Sequence, residues 1–330
     1  MKQPLVSVVI PAYNCQKTIA KTIETALQQD FPGLEVIVVD DGSTDKTPDV
    51  IRSFKNARYV FQPNAGPASA RNRGAKESQG ETIFFTDSDC VPHRNWISTS
   101  MKGFGDPSVA VVAGSYGIFN QESLLARCIH QEIVFRHHRF MPKHPKSFGS
   151  YNFGIRKEVF EKVGGFDTTY RYASGEDNDL AYRLLKAGCR ILFEPKSLVD
   201  HIHTSSVKKY LHEQYRHGYW RVKMYQHHPD MMKGDDYTFW KDVIEPPLAM
   251  FFIASPILFY FWPNFFGPLF IFLLGFFIIL QCFYSFFFVH SVFGAFFYAG
   301  VLCLRTFART FGFTTGLMQF PSFQHIKKGK

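Results

Sequence analysis

The sequence has 330 residues, with 37 basic and 28 acidic side chains and a formal net charge of +9. This length allows a large core, which excludes a small disulfide-stapled module, and the charge favours an anionic partner. The six cysteines show neither CxxC spacing nor a disulfide-like framework, as is typical of a reducing compartment.

The first hundred residues alternate short apolar runs with amphipathic segments. Four runs are predicted strands: 5–10, 34–39, 59–61 and 83–86. Four segments with helical spacing lie between or after them: 17–29, 45–54, 68–78 and 96–104. This order predicts an α/β fold with a doubly wound, mainly parallel sheet and right-handed crossovers.

The pattern is less regular after residue 104. We predict strands at 109–113 and 190–193, and helices at 122–138, 158–163 and 177–187. Residues 140–146 form a predicted basic loop. Residues 1–205 are therefore predicted to form one α/β domain.

A basic segment follows this domain. Residues 206–225 carry five basic side chains against one acid, Glu213, together with aromatic and aliphatic side chains. This composition predicts a helix that lies on a membrane face, and a solvated helix packed on the domain is the alternative. The predicted interfacial helix and linker cover residues 206–245.

Acidic residues recur where predicted strands end or helices begin. They are Asp40-Asp41, Asp87-Ser88-Asp89 and Glu176-Asp177. Ligands of open α/β sheets bind at the carboxyl ends of the strands, and paired carboxylates suit a divalent cation that holds a diphosphate. Each pair alone could be a turn or a helix cap, but together they predict one crevice for nucleotide, metal and proton transfer.

Six motifs between about Pro4 and Trp220 resemble those of glycosyltransferase family 2, in the family's order. The first three are Val8-Val9-Ile10-Pro11-Ala12-Tyr13-Asn14, Val38-Val39-Asp40-Asp41-Gly42-Ser43-Thr44-Asp45 and Asn64-Ala65-Gly66-Pro67-Ala68-Ser69-Ala70-Arg71-Asn72. The others are Asp87-Ser88-Asp89, Gly164-Gly165-Phe166-Asp167 and Gly175-Glu176-Asp177-Asn178-Asp179-Leu180. The resemblance implies a GT-A fold, a nucleotide-sugar donor, Mg²⁺ or Mn²⁺, and inversion at the anomeric carbon.

The resemblance also implies roles for individual residues. Asp177 matches the general base, and Asp89 matches the direct metal ligand, with Asp87 beside the metal and the ribose. The implied nucleotide-binding residues are Pro11, Ala12, Tyr13, Asp40, Asp41, Arg71, Asp87 and Ser88. A guanidinium such as that of Arg71 suits phosphate oxygens.

The third metal ligand and the acceptor contacts are less defined. The family often places a histidine near residues 199–203, which favours His201 over His203 as a ligand. We also expect Glu176, Arg216 and Gly165 near the acceptor or the diphosphate. The segment around Arg216 resembles the Gln-x-x-Arg-Trp motif of processive polysaccharide synthases, but its spacing differs, which favours a transferase that adds a single sugar.

The C-terminal third is predicted to enter a membrane. Residues 246–304 contain no charged side chain, and 22 of the 37 phenylalanines follow residue 245. A membrane span needs about 20 apolar residues. Residues 246–313 therefore predict two or three spans, with candidates at 247–262, 265–289 and 291–313. The basic tail, 314–330, favours an even number by the positive-inside rule, for example a two-span hairpin followed by an interfacial helix at 305–320.

These observations predict a hexosyltransferase-type glycosyltransferase in the cytoplasmic membrane, multi-pass, with its catalytic domain facing the cytoplasm. It would move one sugar from a nucleotide sugar, a UDP-sugar before a GDP-sugar, to a lipid-linked acceptor in surface or exopolysaccharide assembly. A polyprenyl-phosphate glycosyltransferase is the alternative enzyme, and a non-catalytic nucleotide-sugar-binding membrane scaffold is the alternative class. We expect no nucleic-acid partner, and the Pro-Ala-Tyr-Asn turn after the first strand argues against a nucleotidyltransferase.

Overall fold

The computed structural model describes residues 6–172, 174–233, 236 and 240–320 and divides the chain into two compact units. The first unit contains Met1–Asn120 and Arg139–His203. The second contains Gln121–His138 and Thr204–Lys330. The segment Gln121–His138, which the sequence places within the catalytic domain, thus belongs to the second unit.

The first unit is built on an eight-stranded sheet with the order β3-β2-β1-β4-β7-β6-β8-β5. The strands are β1 (Val6–Ala12), β2 (Leu34–Asp40), β3 (Ala57–Phe61), β4 (Thr82–Phe85), β5 (Cys90–Pro92), β6 (Val109–Ile118), β7 (Phe153–Arg156) and β8 (Arg190–His201). Strands β1 to β4 pair in parallel, as do β6 and β8, whereas β7 is antiparallel to both its neighbours and β5 is antiparallel to β8. The predicted mainly parallel GT-A sheet is confirmed.

Eleven α-helices occur in the described part of the chain, together with a 3₁₀-helix at Pro229–Lys233. They are α1 (Ile19–Leu27), α2 (Thr47–Arg52), α3 (Pro67–Glu77), α4 (Trp96–Gly103), α5 (Leu124–Phe140), α6 (Lys157–Lys162), α7 (Glu176–Lys186), α8 (Val207–His227), α9 (Trp240–Phe261), α10 (Pro263–Phe286) and α11 (Val292–Gln319). Those of the N-terminal half fall within a few residues of their predicted positions.

Apolar side chains bury both faces of the sheet. In β1, Val8 and Ile10 face a core that includes Ile23 of α1 and Trp96 of α4. Val9 points to the opposite core, formed with side chains of α3, α6 and α7. Successive strand residues alternate between faces, so a strand covered on both sides must be apolar almost throughout. This requirement explains the continuous apolar run that predicted β1.

Two strands were not predicted from the sequence, and β8 is much longer than its predicted four residues. β5 has three residues and β7 has four, which is too short for a detectable alternation. β8 continues from the predicted segment to His201, and its register with β6 shifts between Gly114 and Ser115. The antiparallel pairing of β5 with the end of β8 is decisive for the site described below.

The described residues of the second unit are mainly helical. α8 begins after Ser206, whose Oγ accepts a hydrogen bond from the Lys209 backbone N–H at 3.4 Å. α9 and α10 are joined by the single residue Trp262. Ile244–Phe261, α10 and α11 are each long and apolar enough to cross a membrane. The predicted basic tail, 314–330, lies outside the described residues from position 321 onwards.

Candidate active site

Two loops at the carboxyl edge of β1 and β2 are tied together by hydrogen bonds. The side-chain oxygen of Asn14 accepts a hydrogen bond from the Thr44 backbone N–H at 2.8 Å, and the Asn14 N–H donates to Ser43 Oγ at 3.0 Å. Asn14 has a φ of 47°, a left-handed conformation that asparagine tolerates well. The predicted pocket residues Pro11 and Ala12 are buried, whereas Tyr13 is 50% exposed. An exposed ring on a fixed loop is suited to stacking against a nucleotide base.

Asp40 and Asp41 are both buried, and their carboxylates accept hydrogen bonds from other groups of the protein. Asp40 accepts hydrogen bonds from the Ser43 N–H at 2.9 Å and from the Tyr59 hydroxyl at 2.8 Å. Burial and the neighbouring Asp40 carboxylate raise the pKa of Tyr59 to about 12, so the hydroxyl keeps its proton.

Asp41 has four donors on its two carboxylate oxygens. They are the backbone N–H groups of Ala65 and Gly66 and the side-chain amides of Gln62 and Asn64, at 2.6–3.2 Å. A carboxylate has about four lone-pair sites, so Asp41 has little acceptor capacity left. Its position fixes the loop that leads into α3, and its predicted contact with the base or ribose stays a prediction.

Arg71 joins the acidic turn after β4 to the start of α7. Its Nη2 donates to Asp87 Oδ1 at 2.6 Å, and its Nη1 donates to Glu176 Oε1 at 3.0 Å. The Arg71 side chain is 1% exposed, and its guanidinium also lies over the ring of Phe166. The sequence predicted that Arg71 reaches the nucleotide, but in the structure its guanidinium is engaged by two carboxylates. It therefore connects the candidate metal-binding turn to Glu176, the neighbour of the candidate base Asp177 in the first turn of the last helix of this unit.

Glu176 and Asp177 occupy the first turn of α7. The helix begins after Gly175, whose φ of 93° is costly for residues with a Cβ. Glu176 Oε2 also accepts the Ser174 N–H at 2.7 Å, so both of its oxygens are held. Burial is the main cause that raises the pKa of Glu176, to about 7, and the Asp177 charge adds to it while Arg71 opposes it. Burial also raises the pKa of Asp177.

Asp177 is only partly buried, unlike Glu176. Its Oδ1 accepts the Asn178 N–H at 2.8 Å, and its Oδ2 accepts the Ser150 N–H at 3.3 Å. These contacts orient the carboxylate from two different segments. A carboxylate with a raised pKa in a fixed orientation can take a proton from a hydroxyl near neutral pH.

Asp89 and His201 come together because β5 is antiparallel to the end of β8. Cys90 pairs with His201 in this ladder, and the Ile202 N–H donates to the Asp89 carbonyl at 3.0 Å. His201 Nε2 lies 3.6 Å from Asp89 Oδ1. The His203 Nδ1 lies 3.2 Å from the His201 Nδ1, so His203 orients the His201 ring through the nitrogen other than the one beside Asp89. Of the two predicted histidines, His201 is the one beside the acidic turn.

The donor set fits a divalent cation. One ligand atom each of Asp89, Cys90 and His201 lies within 4.8 Å of the others. Burial raises the pKa of the Cys90 thiol well above its usual value, and a protonated thiol is a poor ligand for Mg²⁺ or Mn²⁺. The Asp89 side chain is 41% exposed and open to a ligand. Asp89 and His201 are therefore the residues that could hold the cation directly, with Asp87 already bound to Arg71.

The remaining predicted site residues lie in different surroundings. The Ser88 carbonyl accepts a hydrogen bond from Thr22 Oγ1 at 3.1 Å, which fixes the turn between the two aspartates. Gly165 has a φ of 65° and packs on α3. There the Asn72 side-chain amide donates to the Phe166 carbonyl, and the Asn72 side-chain oxygen accepts the Phe166 N–H. Arg216 lies on α8 in the second unit. The acceptor or diphosphate contacts of Gly165 and Arg216 stay predictions.

Asn152 is a site-supporting residue that sequence reasoning missed. Its side-chain amide donates to the carbonyls of Ser115 and Ser197, both at 2.9 Å, and its oxygen accepts the indole N–H of Trp96 at 2.7 Å. It thereby holds β6, β8 and α4 together next to the strand end that carries His201. The only signal in the sequence is a polar residue in front of a short apolar run, which is too common to be informative.

Comparison with protein families agrees with this geometry. The family model described as "Glycosyl transferase family 2" matches residues 7–164. A second one, described as "N-terminal domain of galactosyltransferase", matches residues 130–214. Together these matches cover all the acidic motifs of the site.

Several curated proteins are similar to this chain. The "Pre-mycofactocin glycosyltransferase" of Mycobacterium tuberculosis is 34% identical over 235 residues, which cover 68% of this chain and 48% of the relative. The "Probable glycosyltransferase YdaM" of Bacillus subtilis is 32% identical over 213 residues, covering 59% and 50%. The Escherichia coli "UDP-Glc:alpha-D-GlcNAc-diphosphoundecaprenol beta-1,3-glucosyltransferase WfaP" is 42% identical over 101 residues, covering 30% and 39%. The chain thus spans about half the length of the first two relatives.

A solved structure shares the fold. The mannosyltransferase PcManGT of Pyrobaculum calidifontis, in complex with GDP-Man and Mn²⁺, has a TM-score of 0.52 and 22% identity, covering 71% of this chain and 66% of its own. The motifs, the GT-A sheet and the family match lead to one assignment. This chain contains a glycosyl transferase family 2 domain, and its described C-terminal region carries three apolar helices long enough to cross a membrane.

Proposed function

We propose that this protein is a membrane-anchored, inverting glycosyltransferase that moves one sugar from a nucleotide sugar to a lipid-linked acceptor. The observation that carries the proposal is the Arg71 bridge between Asp87 and Glu176. Through this bridge the turn with the candidate metal ligand Asp89 and the first turn of α7 with Asp177 form one connected site. A divalent cation and a general base are the two elements that an inverting transfer requires.

The donor end of the proposed site consists of Tyr13, the Asp87-Ser88-Asp89 turn and His201. The exposed ring of Tyr13 would stack on the base, while Asp89 and His201 would hold the cation. When bound, the cation neutralises the charge that develops on the leaving diphosphate. The relative from Pyrobaculum calidifontis was solved with Mn²⁺, which supports a requirement for a divalent metal.

The chemical step is a single displacement. The acceptor hydroxyl oxygen attacks the anomeric carbon from the face opposite the nucleotide, the bond from that carbon to the phosphate oxygen breaks, and the electron pair leaves with the diphosphate. The hydroxyl proton passes to the Asp177 carboxylate. One displacement inverts the anomeric centre, and the contacts of Asp177 with Asn178 and Ser150 keep the base aimed.

Two observations support a lipid acceptor. The catalytic unit is on the same chain as helices that are apolar enough to cross a membrane. The relative WfaP is named for transfer from UDP-Glc to a sugar on a diphosphoundecaprenol. We infer a lipid-diphosphate-linked sugar as acceptor, in surface or exopolysaccharide assembly, with a UDP-sugar as donor.

We place the protein in the cytoplasmic membrane, multi-pass, with the catalytic unit on the cytoplasmic side. Five basic residues lie on α8, close in sequence to the apolar helices. Lysine and arginine next to membrane segments favour the cytoplasmic face. Nucleotide sugars would then be available to the catalytic unit directly.

The test is a transfer assay with full-length protein in nanodiscs, Mn²⁺ or Mg²⁺, and labelled UDP- and GDP-sugars. Two acceptors are offered separately: a polyprenyl-diphosphate-linked sugar and polyprenyl phosphate. We expect label on the first acceptor. Transfer to polyprenyl phosphate alone would establish the alternative enzyme, and nucleotide-sugar binding without any transfer would establish the non-catalytic scaffold.

The control pair for this assay consists of Asp177→Asn and Glu161→Gln. Glu161 is an exposed carboxylate on α6 that offers the same chemical change away from the site. We expect Asp177→Asn to lower turnover by a factor of about 10² to 10⁴, the usual contribution of a general base. Unchanged turnover would remove Asp177 from the mechanism.

A further inference from the structure

α11 satisfies the length and hydropathy requirements of a membrane span, but its packing is that of a different kind of helix. Its most apolar window of 18 residues has a mean hydropathy of 1.3, the lowest of the three candidates. It packs along α8, and the two backbones touch. A Cβ added at Gly218 of α8 would overlap the Arg309 carbonyl, and one added at Gly312 of α11 would overlap the Tyr215 carbonyl.

The contact between α8 and α11 continues along both helices. The Arg305 Nη1 lies 3.3 Å from the Tyr210 hydroxyl, and the Arg309 Nε donates to Gln214 Oε1 at 2.7 Å. Further on, the Tyr215 hydroxyl lies 2.8 Å from Thr315 Oγ1. Residues that follow one another on α8 thus meet residues that follow one another on α11, so the two helices run parallel and side by side.

α8 cannot lie in the hydrocarbon of a bilayer. Among its charged residues, Lys208 and Lys209 are exposed. A lysine or arginine exposed to lipid at the centre of a membrane helix is costly to insert, and such residues are therefore rare there. Because α8 accompanies α11 from Arg305 onwards, only Val292–Leu304 is left to cross. Thirteen residues reach about 20 Å, whereas the hydrocarbon core is about 30 Å thick.

The face of α11 opposite α8 is an exposed apolar stripe. Phe293 is 75% exposed, Leu304 and Phe311 are each 51% exposed, and Met318 is 86% exposed. The last three are seven residues apart, and at 100° per residue all four lie within about 40° on one side of the helix. Arg305 and its neighbours in the contact with α8 lie on the other side. A stripe that runs the whole length of a helix is typical of a helix lying in a membrane surface.

The helical hairpin of α9 and α10 has the opposite character, since its exposed residues are apolar around most of its circumference. Where Pro256 cannot donate to the Phe252 carbonyl, Ser255 Oγ donates instead at 2.7 Å. A helix in lipid requires that each backbone carbonyl has a hydrogen-bond donor within the protein, because no water is available there.

We propose that α11 is not a membrane span but lies in the plane of one membrane surface, with its apolar stripe on the acyl chains and α8 on the aqueous side. Only the hairpin of α9 and α10 enters the bilayer. The inference rests on the membrane anchoring proposed above and resolves the choice between two and three spans. The chain then crosses an even number of times, and the end of α11 lies on the same side as α8.

The test measures the membrane depth of spin labels at Phe293→Cys, Leu304→Cys, Phe311→Cys and Met318→Cys, one at a time. The labelled protein is full-length, in nanodiscs, in a background where the native cysteines are replaced and transfer activity is retained. The control series on α10 is Phe265→Cys, Phe272→Cys, Ile279→Cys and Phe286→Cys, all exposed positions. Depth is read from the ratio of collisions with oxygen to collisions with a nickel chelate.

We expect the four α11 labels to share one shallow depth, about 5–10 Å below the headgroups, while depth changes steadily along α10. A span would instead spread the α11 labels over about 38 Å, with Leu304 near the bilayer centre and the outer pair at opposite surfaces. That result would overturn the proposal. Labels in water on both helices would overturn it together with the membrane anchoring, while the transfer assay would still report on glycosyl transfer separately.

Discussion

The Nε2 of His201 lies 3.6 Å from the Oδ1 of Asp89, although the two residues belong to distant parts of the chain. They meet because a three-residue strand, β5, pairs with the last residues of β8. Carboxylate and imidazole at this distance can share one cation. The Nδ1 of the nearby His203 lies 3.2 Å from the other ring nitrogen of His201, its Nδ1.

This arrangement predicts different effects for the two histidines. We expect His201→Ala to raise the Mn²⁺ concentration for half-maximal transfer by more than about tenfold, because a direct ligand is lost. His203→Ala should cause a smaller increase, because His203 orients the ligand ring and the direct ligand His201 stays in place. Metal titrations of nucleotide release would measure both. Equal effects, or none for His201, would contradict the assignment.

The Arg71 bridge predicts a loss of turnover rather than of donor affinity. Arg71→Lys keeps the positive charge but cannot bond Asp87 and Glu176 simultaneously, because lysine lacks the planar fork. The start of α7 should then loosen around Asp177. We expect kcat to fall at least tenfold, with the donor KM changing less than threefold.

Arg73→Lys is the matched control for this variant. Arg73 lies on the same helix, is exposed, and pairs with Glu77. Its substitution should leave both constants unchanged. A large rise in donor KM for Arg71→Lys, with kcat intact, would instead indicate that Arg71 contacts the nucleotide.

The pH dependence of transfer should report on the Glu176–Asp177 pair. A general base works when ionised, so activity should rise as pH increases through the pKa of Asp177, which burial raises. A negative charge on Glu176 opposes ionisation of its neighbour. Glu176→Gln removes that charge, so the pKa of Asp177 should fall and the acid limb of the kcat/KM profile should move to lower pH. A shift to higher pH would show that Glu176 does not act on Asp177 in this way.

A buried ionic cluster in the second unit should contribute strongly to stability. Glu132 accepts hydrogen bonds from Arg305 at 2.7 Å, Arg136 at 2.9 Å and the Tyr298 hydroxyl at 2.6 Å. Glu132 and Arg305 are 4% and 2% exposed. Removing one partner of a buried pair leaves a charge without compensation, at a cost of about 3–5 kcal/mol.

We therefore expect Glu132→Ala to lower the thermal midpoint in mild detergent markedly. Adding Arg305→Met should restore part of the loss, since the charge without a partner is then removed as well. Glu122→Ala, an exposed position near the start of α5, is the control. If the double variant were less stable than Glu132→Ala, the two residues would not be coupled as the structure indicates.

The sequence was sufficient for the order of strands and helices in β1 to β4 because each strand there is apolar throughout and ends at a polar turn. It also indicated Asp89 and Asp177 as candidate site residues, because their motifs are local. The engagement of Arg71 with Glu176 could not be predicted, since it joins residues 105 positions apart and arginine suits phosphates equally well. The pairing of α8 with α11 could not be predicted for a similar reason. An amphipathic pattern shows that one face of a helix is apolar, but it does not show whether lipid or protein covers that face.

The single-residue connection at Trp262 has a consequence for how the protein is made. Two helices joined by one residue cannot enter lipid at separate times or places. No polar segment lies between them that could stay in water while the first helix inserts alone. α9 and α10 should insert together, after synthesis has passed the end of α10. A chain halted before Phe286 should therefore remain extractable by alkaline carbonate, whereas a chain that includes it should not.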